Sequence, residues 1–196
     1  MTVTLHDLPG VWRRSLLAWP DGSRDTTTTV LWVQGPTLYA DLRLPHAERE
    51  GHGGQGAAPL EGFAGELVLT DGVFEWCRRI DLGPPGPYGD RGRLAFAGDV
   101  LVEDGVEVSY IEHWRREPGS VGPSGAKLLT RPGAEALLVR AGSYIAYATS
   151  GPEISIGRLD GDGWVVGWSS RPELVGERHP LEAGGWQVSY TEGEGL

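Results

Sequence analysis

The chain has almost no cysteine and almost no lysine. Cys77 is the one cysteine among 196 residues, which excludes an internal disulfide and is compatible with any redox compartment. Lys127 is the one lysine; the other basic side chains are arginines, which suit buried and stacked positions better than lysine does. The net charge of -10 disfavours the basic surface that binding to nucleic acid or to an anionic membrane requires. We therefore expect neither as a partner.

Long apolar runs and helical patterns are also missing. No apolar run approaches the length of a membrane span, and no basic-then-apolar signal segment opens the chain. No window of a dozen residues combines helical apolar spacing with freedom from Gly and Pro. We expect a cytoplasmic protein with very little helix, and the pattern predicts one short helical turn at Leu60–Phe63.

What the sequence does have is strand-like alternation cut by turns. Its 31 glycines and 14 prolines indicate many short elements joined by turns. Apolar and β-branched runs recur at regular spacing, beginning with 11–19, 26–34 and 37–44, and about a dozen such strands are typical of a sandwich or barrel. Closure is favoured because it removes exposed edges. We predict an all-β fold: an antiparallel closed or nearly closed barrel forming one domain over residues 1–196. The segment 117–125, rich in Pro, Gly and Ser, is the best place for an internal boundary.

Trp-Arg-Arg, or a near copy of it, occurs three times within predicted strands. The copies are Trp12-Arg13-Arg14, Trp76-Cys77-Arg78-Arg79 and Trp114-Arg115-Arg116. A strand that carries guanidinium groups beside large aromatics must place some of that charge inside the fold or at its rim. Because successive side chains point to opposite faces, we predict that one arginine of each pair points inward.

The first strand opens with Gly10-Val11-Trp12. This start resembles the Gly-x-Trp motif of lipocalins and their calycin relatives. The resemblance implies a ligand-binding barrel in which Trp12 plugs the closed end and an arginine packs across it, with Arg79, Arg115 or a later arginine as the partner.

Alternation within the strands groups several polar side chains. In one interpretation they face a common lumen; the set is Tyr39, Asp41, Arg43, Glu75, Arg79 and Glu112, with Tyr110 and Trp114 on the Glu112 face. A buried carboxylate beside arginine stays ionised, whereas one against tryptophan has its pKa raised and can donate a proton. The two alternatives are outer-face salt bridges, each worth little, and an Arg–carboxylate lattice that fills the barrel without function.

The leading hypothesis is a barrel with an aromatic-lined pocket for a small apolar organic molecule. In its catalytic form it is an isomerase, cyclase or lyase without a cofactor, since no phosphate loop or dinucleotide fingerprint is present. Glu112 or Asp41 then transfers the proton while Arg43 and Arg79 stabilise negative charge. Tyr39 orients the substrate, which also contacts Glu75, Tyr110 and Trp114, and His113 is a further catalytic candidate because it lies in the same strand as Glu112.

Two other functions remain open. One is a non-catalytic carrier or sensor on the same scaffold, and the other is a protein-interaction module that grips its partner through Trp-Arg edges. We expect no metal site, because the spacing of His46 and His52 matches no standard zinc motif.

Overall fold

The computed structural model describes residues 2–45, 60–84, 86–151, 153–181 and 184–196. Sixteen strands and two short 3-10 helices, Leu5–Asp7 and Pro172–Leu174, make up its regular structure. The strands are β1 (Gly10–Ala18), β2 (Arg24–Asp25), β3 (Thr29–Gln34), β4 (Leu38–Leu44), β5 (Glu61–Thr70), β6 (Val73–Asp81), β7 (Arg91–Ala97), β8 (Val100–Gly105), β9 (Ile111–Arg116), β10 (Ser124–Arg131), β11 (Ala134–Ala141), β12 (Tyr144–Thr149), β13 (Glu153–Asp160), β14 (Gly163–Ser169), β15 (Arg178–Pro180) and β16 (Gln187–Gly193).

The first nine strands form one antiparallel sheet that closes into a barrel. Strands β1 and β3 to β9 follow one another around it, and β9 pairs back to β1 with Trp12 opposite Arg116 and Leu17 opposite Glu112. The two-residue β2 attaches to the end of β1. The predicted all-β, closed antiparallel barrel is therefore confirmed, with eight strands in the closed ring and more strands in total than predicted.

The remaining strands form a second sheet. It has seven antiparallel strands in the order β15-β14-β13-β12-β11-β10-β16, and residues 117–123 connect it to the barrel. Its contacts with the barrel are made mainly by β11, β12 and β13 against β3 and β4.

Alternation along the strands divides the apolar side chains among three cores. One fills the barrel, with Trp12, Trp32 and Trp114 among its members. A second lies between the barrel and the second sheet, and joins outward residues such as Val33 to residues such as Val139. A third covers the opposite face of the second sheet. A strand buried on both faces loses the apolar/polar alternation, which is why β3 and β4 are apolar along most of their length.

Turn chemistry fixes the predicted hairpin between β5 and β6. Asp71 and Gly72 both have positive φ, 52° and 76°, as a two-residue hairpin turn requires. The predicted helical turn at Leu60–Phe63 is wrong, because Gly62 and Phe63 pair with β4 at the start of a ten-residue strand. Tertiary pairing here overrides a weak local signal.

One end of the barrel is closed by Trp12 and the chain that precedes it. The Trp12 ring is 1% exposed, and its Nε1–H donates to the carbonyl of Leu8 at 2.8 Å. The guanidinium of Arg116 lies 4.1 Å from the centroid of that ring and donates to the Asp7 carbonyl at 2.8 Å. Of the arginines expected across Trp12, the later one is therefore the partner, and Arg79 and Arg115 are not.

No helix among the described residues has the length and apolar character needed to cross a bilayer.

Candidate functional site

A cavity of about 260 Å³ occupies the end of the barrel opposite Trp12. The end of β1, the segment before β7 and the segment before β9 surround it. Its apolar wall includes Leu17, Trp19 and Val108, and its polar floor includes Arg43 and Glu112. We call this space the mouth cavity. It combines apolar surface with a few convergent polar groups, the usual composition of a small-molecule site.

Arg14 holds two carboxylates at the floor of the mouth cavity. Its guanidinium donates to Glu112 Oε1 and to Asp25 Oδ2, both at 2.7 Å. The side chains of Arg14 and Glu112 are each 4% exposed. Asp25 belongs to β2, so this ion pair also ties the short strand to the barrel. Charge-assisted hydrogen bonds of this length are among the stronger ones in proteins.

A second buried ion pair lies on β4. Arg43 donates to Asp41 Oδ1 at 2.9 Å, and the Asp41 side chain is 4% exposed. Burial raises the pKa of Asp41, and the charge and hydrogen bond of Arg43 oppose that rise. Burial likewise raises the pKa of Glu112, against the lowering effects of Arg43 and Arg14. The two guanidiniums therefore favour the ionised form of both carboxylates.

Glu103 is the carboxylate that sequence reasoning missed. It is 3% exposed on β8, directly opposite Glu112 in the strand register. It accepts hydrogen bonds from the Tyr110 hydroxyl at 2.7 Å and from Trp114 Nε1 at 3.1 Å, and no ion pair to it is formed within the described part of the chain. Burial, followed by the charge of Glu112, raises the pKa of Glu103 well above its usual range. Two adjacent carboxylates thus differ in how readily each holds a proton.

Tyr110 connects Glu103 to the mouth cavity. Its side chain lines that cavity while its hydroxyl donates to Glu103. Burial and the neighbouring charge of Glu103 raise the pKa of Tyr110, so the phenol keeps its proton. Tyr110 therefore links Glu103 to the cavity by a hydrogen bond, while Glu112 provides a carboxylate at the same cavity that can accept a proton.

Below the charged groups, tryptophan rings fill the barrel. Trp32 contacts Trp12, Trp76 and Trp114 at centroid distances of 6.3, 5.5 and 5.7 Å. The space left between these rings and the carboxylates is about 10 Å³, room for about one water molecule. Among the described residues, the barrel interior beneath the mouth cavity therefore has no room for an organic molecule.

Several predicted site residues lie in the barrel as expected. Asp41, Arg43, Glu112 and Trp114 all line the narrow inner space, and Tyr110 lines the mouth cavity. Tyr39 is fully buried against Phe63, with ring centroids 6.1 Å apart, and burial raises its pKa well above its usual value. Tyr39 lines neither the mouth cavity nor the inner space. The structure therefore does not support contact between Tyr39 and a ligand at the mouth.

Glu75 and Arg79 do not face the lumen, so their place in the common-lumen interpretation is wrong, and the catalytic candidate His113 also lies outside the lumen. On β6 the inward residues are Trp76 and Arg78, so Glu75 points outward, where it lies 3.7 Å from Arg91. His113 alternates with the inward Glu112 and Trp114 on β9 and so occupies the outer face.

A β-bulge explains the position of Arg79. The register pairs Gly65 with Arg78 and Ala64 with Ile80, so Arg79 is the extra residue. Its guanidinium reaches Glu135 of the second sheet at 3.1 Å, in a half-exposed pair. A strand pattern of period two cannot show where such a residue is inserted.

The three Trp-Arg-Arg copies behave as alternation predicts. Each tryptophan belongs to the barrel core. One arginine of each pair serves the interior or its rim: Arg14 at the floor, Arg78 stacked 3.6 Å from the Phe63 centroid, and Arg116 across Trp12. The other arginines pair outside with Glu117, Glu135 and Asp99.

No metal-binding cluster of three or more His, Cys, Asp or Glu side chains occurs in the described ranges. His46 and His52 lie outside the described residues.

No protein-family model matches the chain, and no curated protein is similar to it in sequence. Among solved structures, its fold is similar to that of the uncharacterized protein YLR301w from Saccharomyces cerevisiae, with a TM-score of 0.65 and 16% sequence identity. The similarity covers 93% of this chain and 98% of the yeast protein, so both sheets are included. At this identity the likeness shows the fold alone.

Proposed function

We propose that the protein binds a small, largely apolar organic molecule at the mouth of a lipocalin-like barrel and transfers a proton on it without a cofactor. The mouth cavity carries the proposal, because apolar side chains form its wall while Glu112, Arg43 and Tyr110 meet at its floor. Its volume of about 260 Å³ is near the lower end for small-molecule sites, so the ligand has about one or two rings.

Exposed apolar side chains around the mouth support ligand binding. Trp19, Tyr88 and Val108 are 38%, 65% and 43% exposed, and all three line the cavity. Large apolar groups grouped around a cavity commonly mark a binding site, since a ligand removes them from water. An apolar molecule seated there would lie directly above the acid–base groups.

The carboxylates support proton transfer in preference to simple carriage. Glu112, held by Arg14, is the base, and the guanidinium of Arg43, which lines the same cavity, stabilises the negative charge that forms on the ligand. A base and a cation at one cavity suit isomerisation, cyclisation or elimination. A carrier would need only the apolar wall. The third alternative, an interaction module with exposed Trp-Arg edges, loses its support because Trp12, Trp76 and Trp114 are at most 6% exposed.

Binding at the mouth is testable with 6-propionyl-2-(dimethylamino)naphthalene, a neutral fluorescent probe with two rings. We expect a saturable rise in its fluorescence, and Trp19→Ala should weaken affinity about tenfold, which corresponds to about 1.4 kcal/mol. Trp168→Ala is the matched control. Trp168 does not line the mouth cavity, and it packs between the barrel and the second sheet. Equal affinities for Trp19→Ala and the wild type would remove the mouth as the site.

Proton transfer is testable with 5-nitrobenzisoxazole, a small neutral ring system. A base that removes its carbon-bound proton breaks the ring N–O bond and releases a coloured cyanophenolate. We expect Glu112→Gln to lower this rate by about a hundredfold or more while probe binding persists, since a positioned general base contributes about 10²–10⁴-fold. The control is Glu75→Gln, on the outer face. An unchanged rate in Glu112→Gln excludes Glu112 as the base; binding without any wild-type rate favours the carrier.

A further inference from the structure

A second cavity, of about 290 Å³, lies on the face of the second sheet that is turned away from the barrel. Strands β11 to β15 and the segment before β16 contribute to it, and it shares no lining residue with the mouth cavity. The buried apolar residues of this face come from β10, β11, β12 and β14 and form one cluster. We call it the sheet cavity.

Four aromatic rings line the sheet cavity. Trp164 and His179 lie with centroids 5.5 Å apart and planes inclined by 34°, and Tyr147 and Trp186 complete the set. Arg131 stacks on Trp186 with its guanidinium carbon 4.3 Å from the ring centroid, which restrains that ring. A flat molecule can gain stacking contacts from several sides here.

Two of the residues that line this cavity each carry a polar atom without a partner. Trp164 Nε1 and His179 Nε2 are both buried, and neither forms a hydrogen bond with any residue that the structure describes. Trp164 itself is only 2% exposed. A buried donor or acceptor left unpaired costs about 1–3 kcal/mol, so a fold retains such atoms most readily where something else satisfies them. Two such atoms on neighbouring aromatic rings indicate a ligand with polar atoms on its edge.

The charge of the cavity disfavours an anion. Glu153 is its one acidic lining residue in the described ranges, and neither Lys nor Arg lines it. Arg171 pairs with Glu153 at 3.3 Å from the exposed side. A negatively charged ligand would face a carboxylate with no Lys or Arg in the cavity lining, since the guanidinium of Arg131 contacts the ring of Trp186 and does not line the cavity.

We propose that the sheet cavity binds an uncharged, planar heteroaromatic molecule, with a ring acceptor on Trp164 Nε1–H and a neighbouring polar edge on His179 Nε2. The imidazole nitrogen serves as donor or acceptor according to its tautomer, so the ligand edge carries both kinds of group. Aromatic side chains stack on such rings by about 1–3 kcal/mol per ring, as they do on nucleic-acid bases. This site is independent of the mouth cavity and of its chemistry.

The test uses 2-aminopurine, a neutral planar heterocycle whose fluorescence is quenched by stacking on aromatic rings. Titration of the full chain should give saturable quenching. Trp164→Phe keeps a ring but removes the N–H and should weaken binding about tenfold. Trp186→Ala should weaken binding by at least as much. Because Trp186 is only half-buried, this variant should still fold, so it tests the site even if Trp164→Phe unfolds. Near-ultraviolet circular dichroism checks the fold of both.

Two further arms locate the site and test its charge preference. Trp19→Ala, at the mouth cavity, should leave 2-aminopurine binding unchanged. The anion 2-naphthoate should not compete with 2-aminopurine for the sheet cavity. The proposal is overturned by an absence of saturable quenching, by wild-type affinity in folded Trp164→Phe, by loss of binding in Trp19→Ala, or by competition from 2-naphthoate at equal concentration.

Discussion

Replacing Trp12 with alanine lowers the free energy of unfolding by about 3–5 kcal/mol, the range for a fully buried tryptophan. The Trp12 ring is 1% exposed and stacks on Trp32, and the guanidinium of Arg116 covers it. Alanine would leave a cavity at the closed end, free the Leu8 carbonyl from its hydrogen bond and remove the surface on which Arg116 rests. Equilibrium unfolding in urea measures the loss.

Two matched substitutions separate these contributions. Trp12→Phe keeps a ring but loses the Nε1–H bond to Leu8, so it should be less destabilising than Trp12→Ala. Trp19→Ala removes a ring of the same size that is 38% exposed at the other end of the barrel, and should have a much smaller effect. A loss below about 1 kcal/mol for Trp12→Ala would show that Trp12 does not close the barrel.

Replacing Arg14 with methionine should cost about 3–5 kcal/mol at neutral pH, as breaking a buried ion pair from one side does. Methionine keeps much of the side-chain volume, so the loss comes chiefly from charge. Glu112 would remain buried without its 2.7 Å partner, and Asp25 would lose its tie to the barrel. Asp25 keeps hydrogen bonds from Thr27 and Thr28, so Glu112 carries most of the effect.

The cost should depend on pH with a definite sign. Burial already raises the pKa of Glu112 above its ordinary 4.5, and Arg14 opposes that rise, so removing Arg14 raises the pKa further. A carboxyl whose pKa is higher in the folded than in the unfolded state binds more protons when folded, and stability then falls as pH rises between the two values. The Arg14→Met variant should therefore regain stability as pH falls from 7 toward 4.5.

A double variant provides the control. Arg14→Met combined with Glu112→Gln has no charge at this position of β9, and should recover much of the lost stability at pH 7. Urea unfolding at several pH values compares all three proteins. If the loss of stability in Arg14→Met is the same at pH 5 and pH 7, it arises from packing and not from the unpaired Glu112 carboxylate.

Alternation placed the core of the barrel site correctly from sequence where strands are regular. On β4 it grouped Asp41 with Arg43, and on β9 it grouped Glu112 with Trp114, and all four line the inner space. Glu103 carried the same signal, since it lies two residues after Leu101, which is buried in the barrel core. It was missed because a single acidic residue at the end of a predicted strand looks like part of a turn.

Alternation failed at the bulges. Arg79 on β6 and Ser15 on β1 are extra residues, and beyond each one the inward and outward faces exchange. Leu17 therefore lines the mouth cavity, although counting from Trp12 places it outside. A bulge arises from how a strand meets its neighbour, so the sequence of one strand does not reveal it.

The amino-acid pattern alone predicts the all-β class, most of the strands, Trp12 at the start of the first strand and the rule that one arginine of each pair points inward, because these depend on local periodicity and turn chemistry. The fold is needed to show which carboxylates share a wall, which arginine covers Trp12 and that a second sheet forms a cavity of its own. Those features join residues as distant as Arg14 and Glu112, or Trp164 and Trp186, whose proximity depends on strand register and sheet closure. The two-residue alternation along a strand predicts which face of the sheet a side chain takes, but not which residue lies opposite it on the neighbouring strand.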